Sequence, residues 1–269
     1  MDLQAYFART GQPQPTTADR ATLTRLMQAH LATFPFENLD VQLGTPISID
    51  PDAIFDKLVT RRRGGWCFEQ NGLFGRVLEA LGYDVRRISA GVMRHVVGEM
   101  SLGNHLALLV RLEDRLWLVD VGFGGSQAAP LPFEPGETHF APYAVALRQV
   151  DGWWRFEERH GEGDPFSYDF SDAPADEALF ARRCAELQVA PQSPFVQNLI
   201  VQQRHGDTHS ILRGRVLITR GPDGEARETL QNAEALVERL DQRFGLAVPE
   251  AAGLWDAICA RHAALFSDA

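Results

Sequence analysis

The sequence predicts an α+β protein in three successive segments: helical over 1–82, β-rich over 83–189 and mixed α/β over 190–269. Three observations carry this prediction. Apolar residues recur at helical spacing as far as Leu81, and from Tyr83 the period shortens toward two. Helix-like spacing returns only near the C-terminal end, so helices and strands are segregated rather than alternating, which disfavours a parallel α/β sheet. With 269 residues, 45% hydrophobic and 23% charged, the chain can bury a sizeable core and is not composed like a disordered one.

Along the chain, Leu23, Leu26, Met27 and Leu31 form one helical face, with Thr17 or Asp19 placed to cap it. Asp50-Pro51 starts a second helix, since proline fits a first turn whose N–H has no partner. That helix carries Ile54, Phe55, Leu58 and Val59 and runs out in Arg61-Arg62-Arg63. Leu73, Phe74, Val77, Leu78 and Leu81 make a third, stopped at Gly82. VRRISAGV, HLALLVRL, LWLVDVGF, YAVALRQV and WWRFEER then read as antiparallel strands closing a sheet or barrel. Asp151-Gly152 suits a primed hairpin turn, after which Trp153 and Trp154 point to opposite faces. GFGGSQAAPLPFEPGE and GEGDPFSYDFSDAPAD read as loops or lids because glycine and proline interrupt them. In the last segment FVQNLIVQQR and HSILRGRVLITR are strand-like, Pro222-Asp223-Gly224 is a turn, and two amphipathic helices occupy 228–243 and 250–266.

The net charge of −10 repels phosphate backbones, so nucleic acid is not an expected partner. No apolar run approaches the ~20 residues needed to span a bilayer, and MDLQAYFART lacks the basic-then-apolar pattern of a secretory signal. Three cysteines, at 67, 184 and 259, exclude a disulfide framework and fit a reducing cytoplasm. No CxxC or HExxH occurs, and His205 and His209 in HGDTH read as a solvated loop, so no metal is expected.

Cys67 stands apart from the other two cysteines. It follows Gly64-Gly65-Trp66 and opens a helix, where the positive end of the macrodipole favours thiolate. A nucleophilic cysteine needs a base, and the base an orienter. His105 opens one strand and Asp120 ends the next, and pairing about Glu113-Asp114 sets residue 105 opposite 122. The two side chains therefore fall at the same end of the ladder. The glycines of GFGGS, including Gly124 and Gly125, lack dinucleotide-binding spacing and instead offer backbone to a thin acyl chain.

These residues resemble the arylamine N-acetyltransferases. Arg63-Gly64-Gly65-Trp66-Cys67 is similar to the family signature, and Phe36-Glu37-Asn38-Leu39, His105 and Asp120-Val121-Gly122-Phe123-Gly124 follow the family's order and approximate separations. The resemblance implies a papain-like helical segment, a central antiparallel β-barrel and an α/β lid. It implies Cys67 as acyl acceptor, His105 as base and Asp120 as orienter, with acetyl-CoA as donor and an aromatic amine or hydrazine as acceptor. It further implies Phe36, Phe123 and Phe195 as pocket aromatics, Glu37 and Arg63 as a pair bracing the active-site turn, and Val92-Met93 with the glycine loop near pantetheine. Two other readings stay open on the residues alone: a cysteine hydrolase, transglutaminase-like amidase or amide synthase, and a non-catalytic small-molecule-binding module.

Overall fold

The computed structural model describes residues 1–266. The first segment holds helices α1 (Leu3–Thr10), α2 (Arg20–Thr33), α3 (Leu39–Gln42), α4 (Pro51–Phe55) and α5 (Cys67–Ala80), with a two-residue strand, β1 (Phe36–Glu37), between α2 and α3. Asp19 caps α2, its carboxylate accepting the Thr22 N–H at 2.8 Å, and Asp50 caps α4 ahead of Pro51. A wide turn over Asp56–Thr60 follows α4 and carries Lys57 into the interior.

Strands β2 (Asp84–Val92), β3 (Leu102–Leu112), β4 (Arg115–Val119), β5 (Leu131–Pro132), β6 (Gly136–Phe140), β7 (Tyr143–Val150), β8 (Trp153–Arg159) and β9 (Phe166–Phe170) form one curled antiparallel sheet. Its order is β5-β4-β3-β2-β9-β8-β7-β6, and α6 (Arg94–Val97) lies between β2 and β3. The end strands β5 and β6 do not pair among the described residues, so the expected barrel is an open, curled sheet.

Downstream come α7 (Glu177–Val189), α8 (Pro194–Gln197), β10 (Ile200–His205), β11 (Thr208–Arg213), β12 (Val216–Gly221), β13 (Gly224–Thr229), α9 (Ala233–Phe244) and α10 (Trp255–Phe266). The second sheet runs β1-β10-β11-β12-β13. A strand of the helical segment thus forms one edge of the C-terminal sheet.

Five local expectations change. GFGGSQAAPLPFEPGE carries the short edge strand β5, paired to β4, and the start of β6. GEGDPFSYDFSDAPAD contains β9, which joins β2 to β8 in the middle of the large sheet; flanking glycine and proline mask the alternating Phe-Ser-Tyr-Asp-Phe core. Pro194–Gln197 is a short helix, because Ser193 caps it and Pro194 starts it. HSILRGRVLITR folds back on Gly214 (φ 58°) into two strands. The helix expected from 228 begins at Ala233, since pairing with β12 holds 224–229 extended despite its charged composition.

β3 is the hub of the core. Leu108 and Val110 pack against Phe74, Val77 and Trp117 on the helical side, while Ala107 and Leu109 face Ile88, Phe156 and Tyr168 inside the curl. A separate cluster of Leu39, Leu199, Val201, Leu212, Leu240 and Phe244 fills the C-terminal unit, with Leu39 reaching into it from α3.

Candidate active site

Cys67 is the first residue of α5 and is 3% exposed. The chain reaches it through a turn that only glycine permits, since a Cβ on Gly64 would lie 2.1 Å from the Pro35 carbonyl oxygen. Arg63 anchors the start of this turn. Its Nη2 lies 2.8 Å from Glu37 Oε1 and 2.9 Å from Asp40 Oδ1, and Glu37 Oε2 accepts the Leu39 N–H at 2.7 Å. The pair is largely buried, with Glu37 at 0% and Arg63 at 14% side-chain exposure, which overrides the solvated reading usual for an arginine run.

β3 and β4 pair about Glu113-Asp114, with Leu108 opposite Val119, the register expected from the sequence. Alternate strand residues share a face, so His105 and Asp120 both point inside the curl, with Ala107, Leu109 and Leu118. His105 Nε2 lies 2.6 Å from Asp120 Oδ2. Asp120 Oδ1 accepts from Asn71 Nδ2 and from the Gly122 N–H, both at 2.8 Å. Burial by itself opposes the imidazolium, but the Asp120 charge and hydrogen bond outweigh it and lift His105 to about 10, with Cys67 adding to the rise. Burial likewise opposes the Asp120 carboxylate, yet His105, Asn71 and the Gly122 amide together hold it below the usual range.

With Nε2 committed to Asp120, Nδ1 is the ring nitrogen left for Cys67, whose Sγ also lies 3.7 Å from the Asn104 carbonyl oxygen. Gly122 lets the Asp120 loop close on Cys67: a Cβ there would sit 2.8 Å from Cys67 Cα and 2.6 Å from Asn71 Nδ2. The hydrogen on Gly122 Cα is what lets Cys67, His105 and Asp120 sit close together.

Aromatic rings flank this centre on two sides. Half-buried Phe123 meets the His105 ring edge-on at 5.2 Å and stacks on Phe166 at 5.1 Å, and Phe166 is 45% exposed. Phe36 and Phe195 lie 6.2 Å apart in a cluster shared with Trp66 and Cys67. Gly124 and Gly125, both at positive φ, turn their Cα hydrogens toward Gln202 and Arg204 of β10, so the glycine loop abuts the C-terminal sheet.

Sequence reasoning missed Asn71 and Tyr168. Asn71 is one helical turn after Cys67, and this i, i+4 spacing was the available signal. Its side chain also accepts the Val121 N–H at 3.0 Å and donates to the Leu106 carbonyl at 2.6 Å, tying the helix to β3 and to the loop after β4. The Tyr168 ring lies 4.8 Å from that of His105. Burial first and the nearby Asp120 charge second keep its phenol protonated, although its hydroxyl has no well-formed hydrogen bond.

The remaining candidates do not join His105 and Asp120. Cys184 is buried in the Cys67 cluster, and burial, helped by the charges of Cys67 and Glu69, pushes its thiol up to about 12. Cys259 is half-buried on α10. His209 is not solvated: it lies in β11, 3% exposed, with Nδ1 2.6 Å from the Tyr143 hydroxyl, and burial pushes it down to about 3. No group of three or more metal-ligating side chains occurs among the described residues. A cleft of about 420 Å³ lined by Gln12, Arg25, Gln28, Arg204 and Asp207 contains none of Cys67, His105 and Asp120. No helix among the described residues is long and apolar enough to cross a membrane.

A family model described as N-acetyltransferase matches residues 19–252. An arylamine N-acetyltransferase of Mycolicibacterium smegmatis is 34% identical over 262 residues, covering 94% of each chain. The solved arylamine N-acetyltransferase of M. tuberculosis superposes with a TM-score of 0.86 at 33% identity, covering 96% of this chain and 99% of that one. The Mycobacterium marinum enzyme, solved in complex with CoA, also gives 0.86, at 32% identity over 97% of this chain and 98% of that one.

Proposed function

This chain belongs to the arylamine N-acetyltransferase family, and from that membership and the geometry at Cys67 we propose the roles and steps that follow. The protein transfers an acetyl group from acetyl-CoA to the nitrogen of an arylamine or arylhydrazine. The observation that carries the mechanism is the buried 2.6 Å His105–Asp120 contact beside a cysteine at a helix N-terminus.

Asp120 favours the imidazolium, so His105 is protonated at rest, and the reaction proceeds from Cys67 as thiolate, the nucleophilic form of a cysteine. The thiolate attacks the thioester carbonyl carbon, and the C–S bond to coenzyme A breaks as the new C–S bond to Cys67 persists. The departing CoA thiolate takes the proton from His105, leaving a neutral imidazole. The acceptor amine, mostly unprotonated at neutral pH, then attacks acetyl-Cys67. His105 takes its proton as the Cys67 thiolate leaves, which restores the starting state. General acid–base help of this kind is typically worth about 10²–10⁴-fold. Two half-reactions through one covalent intermediate give ping-pong kinetics.

In this reading the helix-borne cysteine facing a strand-borne histidine makes the first segment papain-like. Phe36, Phe123 and Phe195 line the acceptor pocket, and Gly124 and Gly125 offer backbone to the pantetheine arm. The 190–269 segment acts as a lid that keeps water from acetyl-Cys67. A reducing cytoplasm is the proposed setting, in keeping with three free cysteines.

Intact mass measured after incubation with acetyl-CoA tests the reading. A gain of one acetyl group, absent in Cys67→Ser and discharged by an arylamine, is the expected result. Acetylation that persists in Cys67→Ser, or discharge to water at the same rate with and without amine, overturns it.

A further inference from the structure

The chain contains 25 arginines and one lysine, and that lysine is buried. Lys57 Nζ lies 2.9 Å from Asp40 Oδ2 and 2.8 Å from Glu69 Oε1. Glu69 is the third residue of α5, two positions after Cys67, and is 1% exposed. Its Oε2 accepts the Trp66 N–H at 3.2 Å and the Lys57 ammonium at 3.1 Å. The carboxylate is tucked under the turn, since a Cβ on Gly65 would lie 2.6 Å from the same oxygen.

We propose that Glu69, held by Lys57, is a positioning residue for Cys67: it grips the Trp66 amide and fixes the turn from which the nucleophile projects. The proposal rests on the reading of Cys67 as acyl acceptor and adds two residues to it. Arg63 and Glu37 secure the start of the turn, at position 63, whereas Lys57 and Glu69 secure its end, at position 66. Asp40 joins the halves, taking Arg63 on Oδ1 and Lys57 on Oδ2.

The electrostatics give the arrangement a signature. Glu37 on β1, Asp40 on α3 and Glu69 on α5 face Lys57 from the wide turn and Arg63 from the loop, so full ionisation leaves one negative charge too many. Glu69 is the carboxyl that absorbs the mismatch. Burial lifts it most, Lys57 and the Trp66 amide pull it back, Glu37 adds to the rise, and the balance falls at about 7. On the other side of the cluster, Cys184 of α7 feels the same carboxylate and Cys67. A buried charge network is weak as a source of stability, because apolar replacements often do as well. Placing the catalytic turn is a use that such replacements cannot serve.

The test measures Cys67 alkylation by iodoacetamide against pH, with kcat and KM for acetyl-CoA, in the wild type, Glu69→Gln, Lys57→Met and Lys57→Arg. Glu69→Gln keeps the shape and an acceptor oxygen but removes the charge. In the wild type, alkylation should show an inflection near 7, and Glu69→Gln should remove it. Lys57→Met should lower kcat about 10- to 100-fold while KM changes little, as expected for a displaced nucleophile, and Lys57→Arg should recover part of the loss. A Glu69→Gln profile that superimposes on the wild type overturns the proposal, even if its melting temperature falls. If the variants do not fold, a wild-type profile without the neutral inflection overturns it equally. Acetylation of Cys67 followed by intact mass in the wild type tests the underlying reading separately.

Discussion

The Asp120 carboxylate has no freedom to be replaced by an amide without consequence. Its Oδ1 accepts from two donors, Asn71 Nδ2 and the Gly122 N–H, while Oδ2 faces His105 Nε2. In Asp120→Asn the amide oxygen must stay with those two donors, so the NH₂ group points at His105. The ring then accepts at Nε2 and carries its proton on Nδ1, the nitrogen facing Cys67, where a base is needed. Losing the carboxylate charge also drops His105 from about 10, so the imidazolium that supports the thiolate is lost at neutral pH. We expect a folded protein by circular dichroism with turnover reduced about 10⁴-fold, the scale of the analogous change in a serine protease. Activity within a few-fold of wild type would remove Asp120 from the mechanism. His105, Asp120 and their shared register were legible because a hairpin turn and a period of two fix which side chains are neighbours. Tyr168 was not, since flanking glycine and proline mask the strand that carries it, and its partner Val92 of β2 is distant in the chain.

At the scale of elements, polar contacts between buried helices and loops decide the local geometry. Glu37 is fully buried against Arg63, and breaking a buried pair by removing one charge typically costs about 3–5 kcal/mol. Glu37→Gln should therefore lower the denaturant midpoint well beyond Glu79→Gln, which alters an exposed residue of α5. Equal shifts would make the pair superficial. A second chain joins three helices: Tyr6 of α1 donates its hydroxyl to His30 Nδ1 at 3.1 Å, and His30 Nε2 donates to Gln70 Oε1 at 2.8 Å. That pattern needs a neutral ring, and burial, only partly offset by Gln70, pushes His30 down to about 3. The unfolded chain binds the proton near 6.5, so this histidine takes stability away as pH falls from about 6.5 toward 3. Each such proton steepens the loss by about 1.4 kcal/mol per pH unit, and His30→Gln should flatten the slope by that amount whatever its stability at neutral pH. An unchanged slope would show that His30 already carries its proton in the folded state. Neither contact was legible as a bond from periodicity, which marks the helical faces but not the polar partners inside them.

For the whole molecule, the question is whether 190–266 is a separable cover or part of the frame that holds the nucleophile. Asn38 answers in structural terms. Its Nδ2 donates to the Phe195 and Asn198 carbonyls at 2.7 and 2.8 Å, and its Oδ1 accepts the Ile200 N–H at 2.8 Å. Beside it, Glu37 of β1 pairs with Val201 of β10 while also receiving Arg63. Contacts separated by about 160 residues follow from topology, and neither hydrophobic period nor turn chemistry encodes them, so the sequence showed three segments but not their clasp. A cover that shares β1 with the active-site turn cannot open without disturbing that turn. We therefore expect Asn38→Ala, which strands the Asn198 carbonyl and the Ile200 amide while Gln42 Nε2 still reaches the Phe195 carbonyl, to cost about 1–3 kcal/mol for each buried group left unpaired. Hydrogen exchange should accelerate together in β11 and in α5, because the two belong to one cooperative unit. Faster exchange in β11 alone, with α5 amides and the rate of Cys67 acetylation unchanged, would mean that the C-terminal unit opens independently of the turn that carries Cys67.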